Sequence, residues 1–219
     1  MELKGLGKAA AAVKYELACM PEEEKNRALL AAATGLIRDT DRILTANAKD
    51  VADGEAKGMH PGLVDRLRHT KERIQAMAEG LKQVSALPDP VGEVLDSFTR
   101  PNGLKIEKRR VPLGVIGIIY ESRPNVTADA FGLCFKAGNA CILKGGSDAL
   151  SSNLAITESL RASLKECGIN PDAVQLITDT DRAVTEQFMR VNEYVDVLIP
   201  RGGAGLIRAV VEHSTVPVI

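Results

Sequence analysis

The chain has 219 residues, 45% of them hydrophobic, with 28 Lys and Arg against 29 Asp and Glu. Such a length and apolar content suffice for a packed core. A formal net charge of −1 excludes a general electrostatic pull toward nucleic acid or anionic membrane, leaving only local charge to recognise a ligand.

Residues 1–90 read as helix throughout. Leu3 to Met20 is Ala-rich with few breakers, and Pro21-Glu22-Glu23-Glu24 is a helix start, with proline suited to the first helical position and acids to the positive dipole end. Leu29, Ala32, Ala33, Leu36 and Ile37 recur at helical spacing, and Asp41 to Lys57 continues the pattern up to Gly58. Thr70 opens a further helix that aligns Ile74, Met77, Ala78, Leu81 and Val84 on one face. Past Pro88-Asp89-Pro90 the period changes. Within residues 91–112, Val94 to Thr99 and Leu104 to Val111 flank Pro101-Asn102-Gly103. Asn-Gly between extended arms predicts a hairpin turn, because both residues tolerate positive φ. Lys108, Arg109 and Arg110 make it a half-exposed ribbon with charged edges.

From residue 113 to 219 strands and helices alternate. Val115–Tyr120, Ala140–Leu143, Val174–Ile177, Val195–Ile199 and the start of a fifth strand at Val216 are apolar runs. The helices between them span Thr127–Ala137, Ser147–Cys167, Arg182–Arg190 and Gly203–Glu212. The expected fold is therefore α/β: a Rossmann-like, largely parallel five-stranded sheet with helices on both faces, a helical N-terminal segment and a protruding hairpin.

In an open parallel sheet ligands bind beyond the carboxyl ends of the strands. The turns there are Glu121-Ser122-Arg123-Pro124-Asn125, Lys144-Gly145-Gly146-Ser147, Thr178-Asp179-Thr180-Asp181 and Pro200-Arg201-Gly202-Gly203. Two of them join a cation to paired glycines ahead of a helix, which suits a polyphosphate ligand. Neither is a G-x-x-x-x-G-K-[ST] or G-x-G-x-x-G fingerprint, and a plain tight turn with a strand-end lysine remains the competing reading.

Four cysteines, Cys19, Cys134, Cys141 and Cys167, show no C-x-x-C spacing, so neither a disulfide framework nor a metal site is expected. Cys134 and Cys141 lie in apolar runs and read as small buried hydrophobes. There is no run of about 18 apolar residues, and Met1-Glu2-Leu3-Lys4 does not begin an apolar leader. The expectation is a soluble, cytoplasmic protein in a reducing compartment, with no membrane and no nucleic-acid partner.

Three segments carry a more specific resemblance. Val111 to Gly117 with Tyr120 to Thr127, then Lys136-Ala137-Gly138-Asn139 with Leu143 to Ser147, then Ile199 to Gly203 with Ser214 to Ile219, resemble the gamma-glutamyl phosphate reductases of the aldehyde dehydrogenase superfamily. The resemblance implies NADPH-dependent reduction of L-glutamyl 5-phosphate to L-glutamate 5-semialdehyde with release of phosphate, in proline biosynthesis. It implies a cysteine thiolate that forms a thioester and lies beyond Ile219, so the 219 residues alone are expected to be inactive. By the same resemblance Lys144, Gly145, Gly146, Ser147, Arg201, Gly202 and Gly203 would hold NADPH or NADP. A serine at 147, where relatives carry a carboxylate, would favour a 2′-phosphate; Asp148 stands next to it. Arg123 is the candidate substrate contact, with an ion pair to Glu121 as its structural alternative, and Asn125 is the candidate oxyanion donor. Residues 113–219 would form the NADP-binding unit and the hairpin a subunit contact, in a homo-oligomer that associates functionally with glutamate 5-kinase. Two other readings stay open: a phosphotransferase using Asp179 and Asp181 for a divalent metal, and a non-catalytic nucleotide-binding fragment.

Overall fold

A computed structural model describes residues 3–121 and 123–219. Five helices come first: α1 (Leu3–Ala18), α2 (Glu22–Arg38), α3 (Thr40–Ala56), α4 (Pro61–Leu67) and α5 (Lys71–Ser85). Pro21 sits at the N-cap of α2, one place before the first helical position, and three glutamates fill the first turn against the dipole. The Thr70 hydroxyl caps α5 by accepting from the Arg73 N–H at 3.2 Å. Helix α4 has no counterpart in the periodicity reading. It is only 7 residues long, opening with Pro61 and with the His60 Nδ1 accepting from the Gly62 N–H at 3.2 Å.

Strands β1 (Val94–Thr99) and β2 (Lys105–Arg109) pair antiparallel as the hairpin. In its turn Gly103 alone is left-handed (φ 84°), and the Gly103 N–H bonds the Arg100 carbonyl at 2.9 Å. A three-residue loop with one left-handed glycine absorbs the bend without straining Asn102. The basic edge is neutralised locally, with Arg109 on Glu107 and Arg110 on Glu93, each at 2.6 Å.

Four strands form the main sheet: β3 (Val115–Tyr120), β4 (Ala140–Lys144), β5 (Val174–Leu176) and β6 (Val197–Arg201). All pair in parallel, in the order β5-β4-β3-β6. The fifth strand is reduced to a single parallel bridge between Leu198 and Val218. Helices α6 (Asn125–Lys136), α7 (Leu150–Glu166), α8 (Arg182–Phe188) and α9 (Ala204–His213) connect or follow them. Right-handed crossovers put α6 and α7 on one face of the sheet. The other face is covered by α1, which packs on β3, β4 and β5. No helix among the described residues is long and apolar enough to cross a membrane.

One hydrophobic cluster runs from Leu6, Ala10, Val13 and Leu17 of α1 through β3 to β6, so the helical segment and the sheet share a core. Lys136 ties that core together from within. Its ammonium is buried and donates to Glu22 Oε1 (3.1 Å), Asn26 Oδ1 (2.6 Å) and the Ser85 carbonyl (3.1 Å), joining α2, α5 and α6. All three donors of the lysine are used, which is what makes its burial tolerable.

Candidate active site

Strand β3 runs between β4 and β6, and the chain winds away from it in opposite directions. The carboxyl ends of β3 and β6 therefore flank the topological switch point of the sheet. Tyr120 pairs with Arg201 there, and a cleft of about 520 Å³ opens, lined by Leu63, Arg66, Glu121, Arg123, Arg201 and Gly203 among others. The register Ile119–Lys144 on one side and Ile119–Pro200 on the other sets Lys144 and Arg201 either side of β3. Two strand spacings separate their backbones, about 10 Å.

Lys144 is buried at the end of β4, and among the described residues its ammonium makes one long hydrogen bond, to the Gly145 carbonyl at 3.3 Å. Burial lowers its pKa, opposed by Asp179 on the turn after β5. A lysine with three donors and one weak acceptor in a desolvated position is poised for an anion. The glycine beside it has a packing role: a Cβ at Gly145 would stand 2.2 Å from Asn153 Nδ2 and 3.1 Å from the Tyr120 ring. Beneath it lies a buried chain in which Tyr120 Oη meets Thr127 Oγ1 at 2.7 Å and Thr127 donates to Asn153 Oδ1 at 2.9 Å. Ser147 opens a 3-10 turn (Ser147–Ala149) ahead of α7 and is exposed.

Both helix starts that the sequence offers as anion sites already hold a carboxylate of the protein. Asp50 on α3 accepts from the Ser151 N–H (3.1 Å), the Ser152 N–H (2.7 Å) and the Ser152 hydroxyl (2.6 Å) at the start of α7. Glu121 accepts from the Gly203 N–H at 3.0 Å at the start of α9. The dipoles of these two helix starts are thus already met by the protein's own carboxylates, and Lys144 and Arg201 are the cations that stay unpaired beside them among the described residues. Glu121 is turned to α9, and the alternative ion pair between Glu121 and Arg123 does not form. Among the described residues neither the Arg123 nor the Arg201 side chain has a hydrogen-bonded or ion-pair partner. Ser122 lies outside the described residues. Asn125, the first residue of α6, donates one N–H of its amide to Asp129 Oδ2 at 3.1 Å, which orients the group and leaves its second N–H to donate elsewhere.

The carboxylates invoked for a phosphotransferase are engaged in local turns. Asp179 Oδ1 accepts from the Asp181 N–H and Asp181 Oδ1 caps α8 through the Ala183 N–H, both at 2.9 Å. Cys134 and Cys141 are buried, and the hydrogen bond with Cys134, reinforced by burial, pushes the Cys141 thiol well above its ordinary range. Cys19 follows α1 and Cys167 follows α7, at the opposite end of the sheet from the switch point. No cysteine of the chain is thus an activated nucleophile at the strand ends.

A second cleft, of about 430 Å³, adjoins the first through Arg66 and Arg123, which line both. Its walls come from the end of α4 (Asp65, Arg66), the link to α5 (Arg68, His69), Arg73 of α5, and Asn125 and Asp129 of α6. Burial raises the Asp129 pKa, with Asn125 opposing, although the side chain retains access to solvent. Sequence reasoning missed all of these except Asn125 and Arg123. The available signal was Pro61 ahead of Leu63, Val64 and Leu67, a short helix start.

The sequence profile of the aldehyde dehydrogenase family matches residues 3–217. The chain belongs to the aldehyde dehydrogenase family. Within it, the gamma-glutamyl phosphate reductase of Lachnospira eligens is 57% identical over 212 residues, 97% of this chain and 51% of that protein. That of Heliobacterium modesticaldum is 54% identical over 218 residues, covering 100% and 52%. The crystal structure of gamma-glutamyl phosphate reductase from Thermotoga maritima superposes with a TM-score of 0.98 at 44% identity, over 100% of this chain and 53% of that one. This aldehyde dehydrogenase family chain spans about half the length of the curated relatives it matches.

Proposed function

We propose that the chain forms the cofactor-binding part of an NADPH-dependent reductase that converts L-glutamyl 5-phosphate to L-glutamate 5-semialdehyde and phosphate. The observation that carries this reading is Lys144, a buried ammonium with one weak acceptor at the carboxyl edge of a doubly wound sheet, in a chain similar to gamma-glutamyl phosphate reductases. The residues present fit a phosphorylated nucleotide: Lys144 supplies the under-satisfied cation, Ser147 offers a hydroxyl where a carboxylate would repel a 2′-phosphate, and Arg201 adds a second cation across β3. NADPH would supply the hydride. Arg123, free of the ion pair with Glu121, would take the acyl phosphate, and Asn125, oriented by Asp129, would donate its second amide N–H to the developing oxyanion. The attacking thiolate would come from outside these 219 residues. In this reading residues 113–219 are the NADP-binding unit, residues 1–90 the helical layer that supports it, and the hairpin of residues 91–112 a contact between subunits in a homo-oligomer.

Fluorescence titration of the chain with NADPH and NADH tests the cofactor assignment. NADPH should bind more tightly by about ten-fold or more, the worth of one charge-assisted hydrogen bond, and Lys144→Ala should erase the advantage. Equal affinities that the substitution leaves unchanged would refute it.

A further inference from the structure

His69 is out of place for a structural histidine. The residue is 7% exposed, yet neither ring nitrogen has a hydrogen-bond partner among the described residues. Its backbone is held firmly: Asn47 Oδ1 accepts from the His69 N–H at 2.6 Å, while Asn47 Nδ2 donates to the Leu67 carbonyl (2.8 Å) and to Ser152 Oγ (3.0 Å). The fold thus fixes an imidazole in the wall of the second cleft and gives its polar atoms nothing to bind. A buried donor and acceptor left open at the edge of a cavity is a costly arrangement that a ligand would relieve.

The charges around it have both signs. Arg73 is engaged by Asp65 (3.2 Å to each oxygen) and Arg68 by Glu55 (3.0 Å). Arg66, on α4, has no hydrogen-bond or ion-pair partner among the described residues, and Asp129 accepts one hydrogen bond, from the Asn125 amide, and feels the charge of Arg201. Two uncommitted guanidiniums, Arg66 and Arg123, an uncommitted carboxylate oxygen and a neutral imidazole with one N–H and one lone pair line a single cavity. A phosphate dianion would meet the Asp129 and Asp65 carboxylates as well as the arginines of this cleft. A group carrying a carboxylate and an ammonium on one carbon matches both signs at once.

We propose that this second cleft binds the α-amino-acid end of the glutamyl substrate, with Arg66 on its carboxylate and Asp129 and His69 on its ammonium. The inference rests on the reductase reading above and adds to it the residues that select an amino acid over a simple acyl phosphate. Because Arg66 and Arg123 line both clefts, a substrate anchored here extends past Arg123 toward the switch point, with its opposite end at the strand ends. Arg66, His69 and Asp129 are specificity residues in this assignment.

L-Glutamine is the probe, since its neutral side-chain end leaves only the amino-acid head to be read. NMR titration of the 219-residue chain should show L-glutamine shifting the His69 ring signals. Glutaramic acid, which lacks the ammonium, and 4-aminobutanamide, which lacks the carboxylate, should each bind at least ten-fold more weakly. Arg66→Ala, a change at an exposed and unpartnered side chain, should weaken L-glutamine about ten-fold with the fold intact, and His69→Gln should weaken it less than His69→Leu. Binding of inorganic phosphate or glutaramic acid as tightly as L-glutamine would make this an anion site and overturn the proposal. So would saturation with L-glutamine that leaves the His69 ring unmoved, or no binding of it at all. NADPH titrated into the same samples separates the two readings: failure of NADPH to bind the unaltered chain counts against the reductase assignment, whereas the L-glutamine results count against this cleft alone.

Discussion

Lowering the pH should destabilise this chain through His69. Burial, reinforced by the Arg73 guanidinium and only partly offset by Asp50, lowers its pKa from the ordinary 6.5 to about 4. In the unfolded chain the imidazole takes up a proton as the pH falls through 6.5; in the folded chain it stays neutral until about pH 4. The unfolded state therefore binds more protons across that window, and the stability present above pH 6.5 is lost as the pH falls to about 4. Each pH unit of separation is worth about 1.4 kcal/mol, so the whole shift amounts to about 3 kcal/mol, a large fraction of a typical domain's stability. Urea unfolding at a series of pH values measures the slope, and the His69 ring signals in a parallel NMR titration give its folded pKa. His69→Leu should flatten the curve between neutral pH and about pH 4, leaving only what the carboxylates contribute. A His69 ring that titrates near its ordinary value in the folded chain, or a leucine variant with an unchanged slope, would refute the reasoning.

Three substitutions test other parts of the structure. Gly145→Ala should destabilise by about 1–3 kcal/mol through overpacking against Asn153 and Tyr120; a normal urea midpoint would show that the turn relaxes. Asp50→Ala removes three hydrogen bonds from the start of α7 and should lower Tm by several degrees, for a loss of about 2 kcal/mol; an unchanged melt would show that another group or water caps the helix. Lys136→Met leaves the Ser85 carbonyl and the Asn26 amide oxygen without their donor and should cost about 3 kcal/mol in urea unfolding, while leaving NADPH affinity unchanged in the folded fraction.

What could be read from sequence was what neighbouring residues decide among themselves. The apolar run Val115 to Tyr120 could be little else than a strand buried on both faces, and it is. Thr70 announced α5 because its cap acts over three residues. The hairpin was visible in Asn102-Gly103, although the division of labour within the turn, with Gly103 alone left-handed, was not. Long-range pairing escaped. Nothing local connects Asp50 with Ser151 and Ser152, or Glu121 with Gly203, so the filling of both helix starts appears only in three dimensions. Lys144 and Arg201 stood out as strand-end cations, but the burial of Lys144 depends on the layers around it. The second cleft assembles residues from α4, α5 and α6, and α4 is too short to leave a periodic trace.

The carboxylates of Asp50 and Glu121 make the sheet edge self-sufficient. A helix start that depends on a bound phosphate frays when the phosphate departs, and every turnover must then rebuild it. Here the first turns of α7 and α9 keep their acceptors whether or not anything is bound. In the proposed reading the edge would release one nucleotide and receive another as a rigid surface, with little reorganisation to slow the exchange.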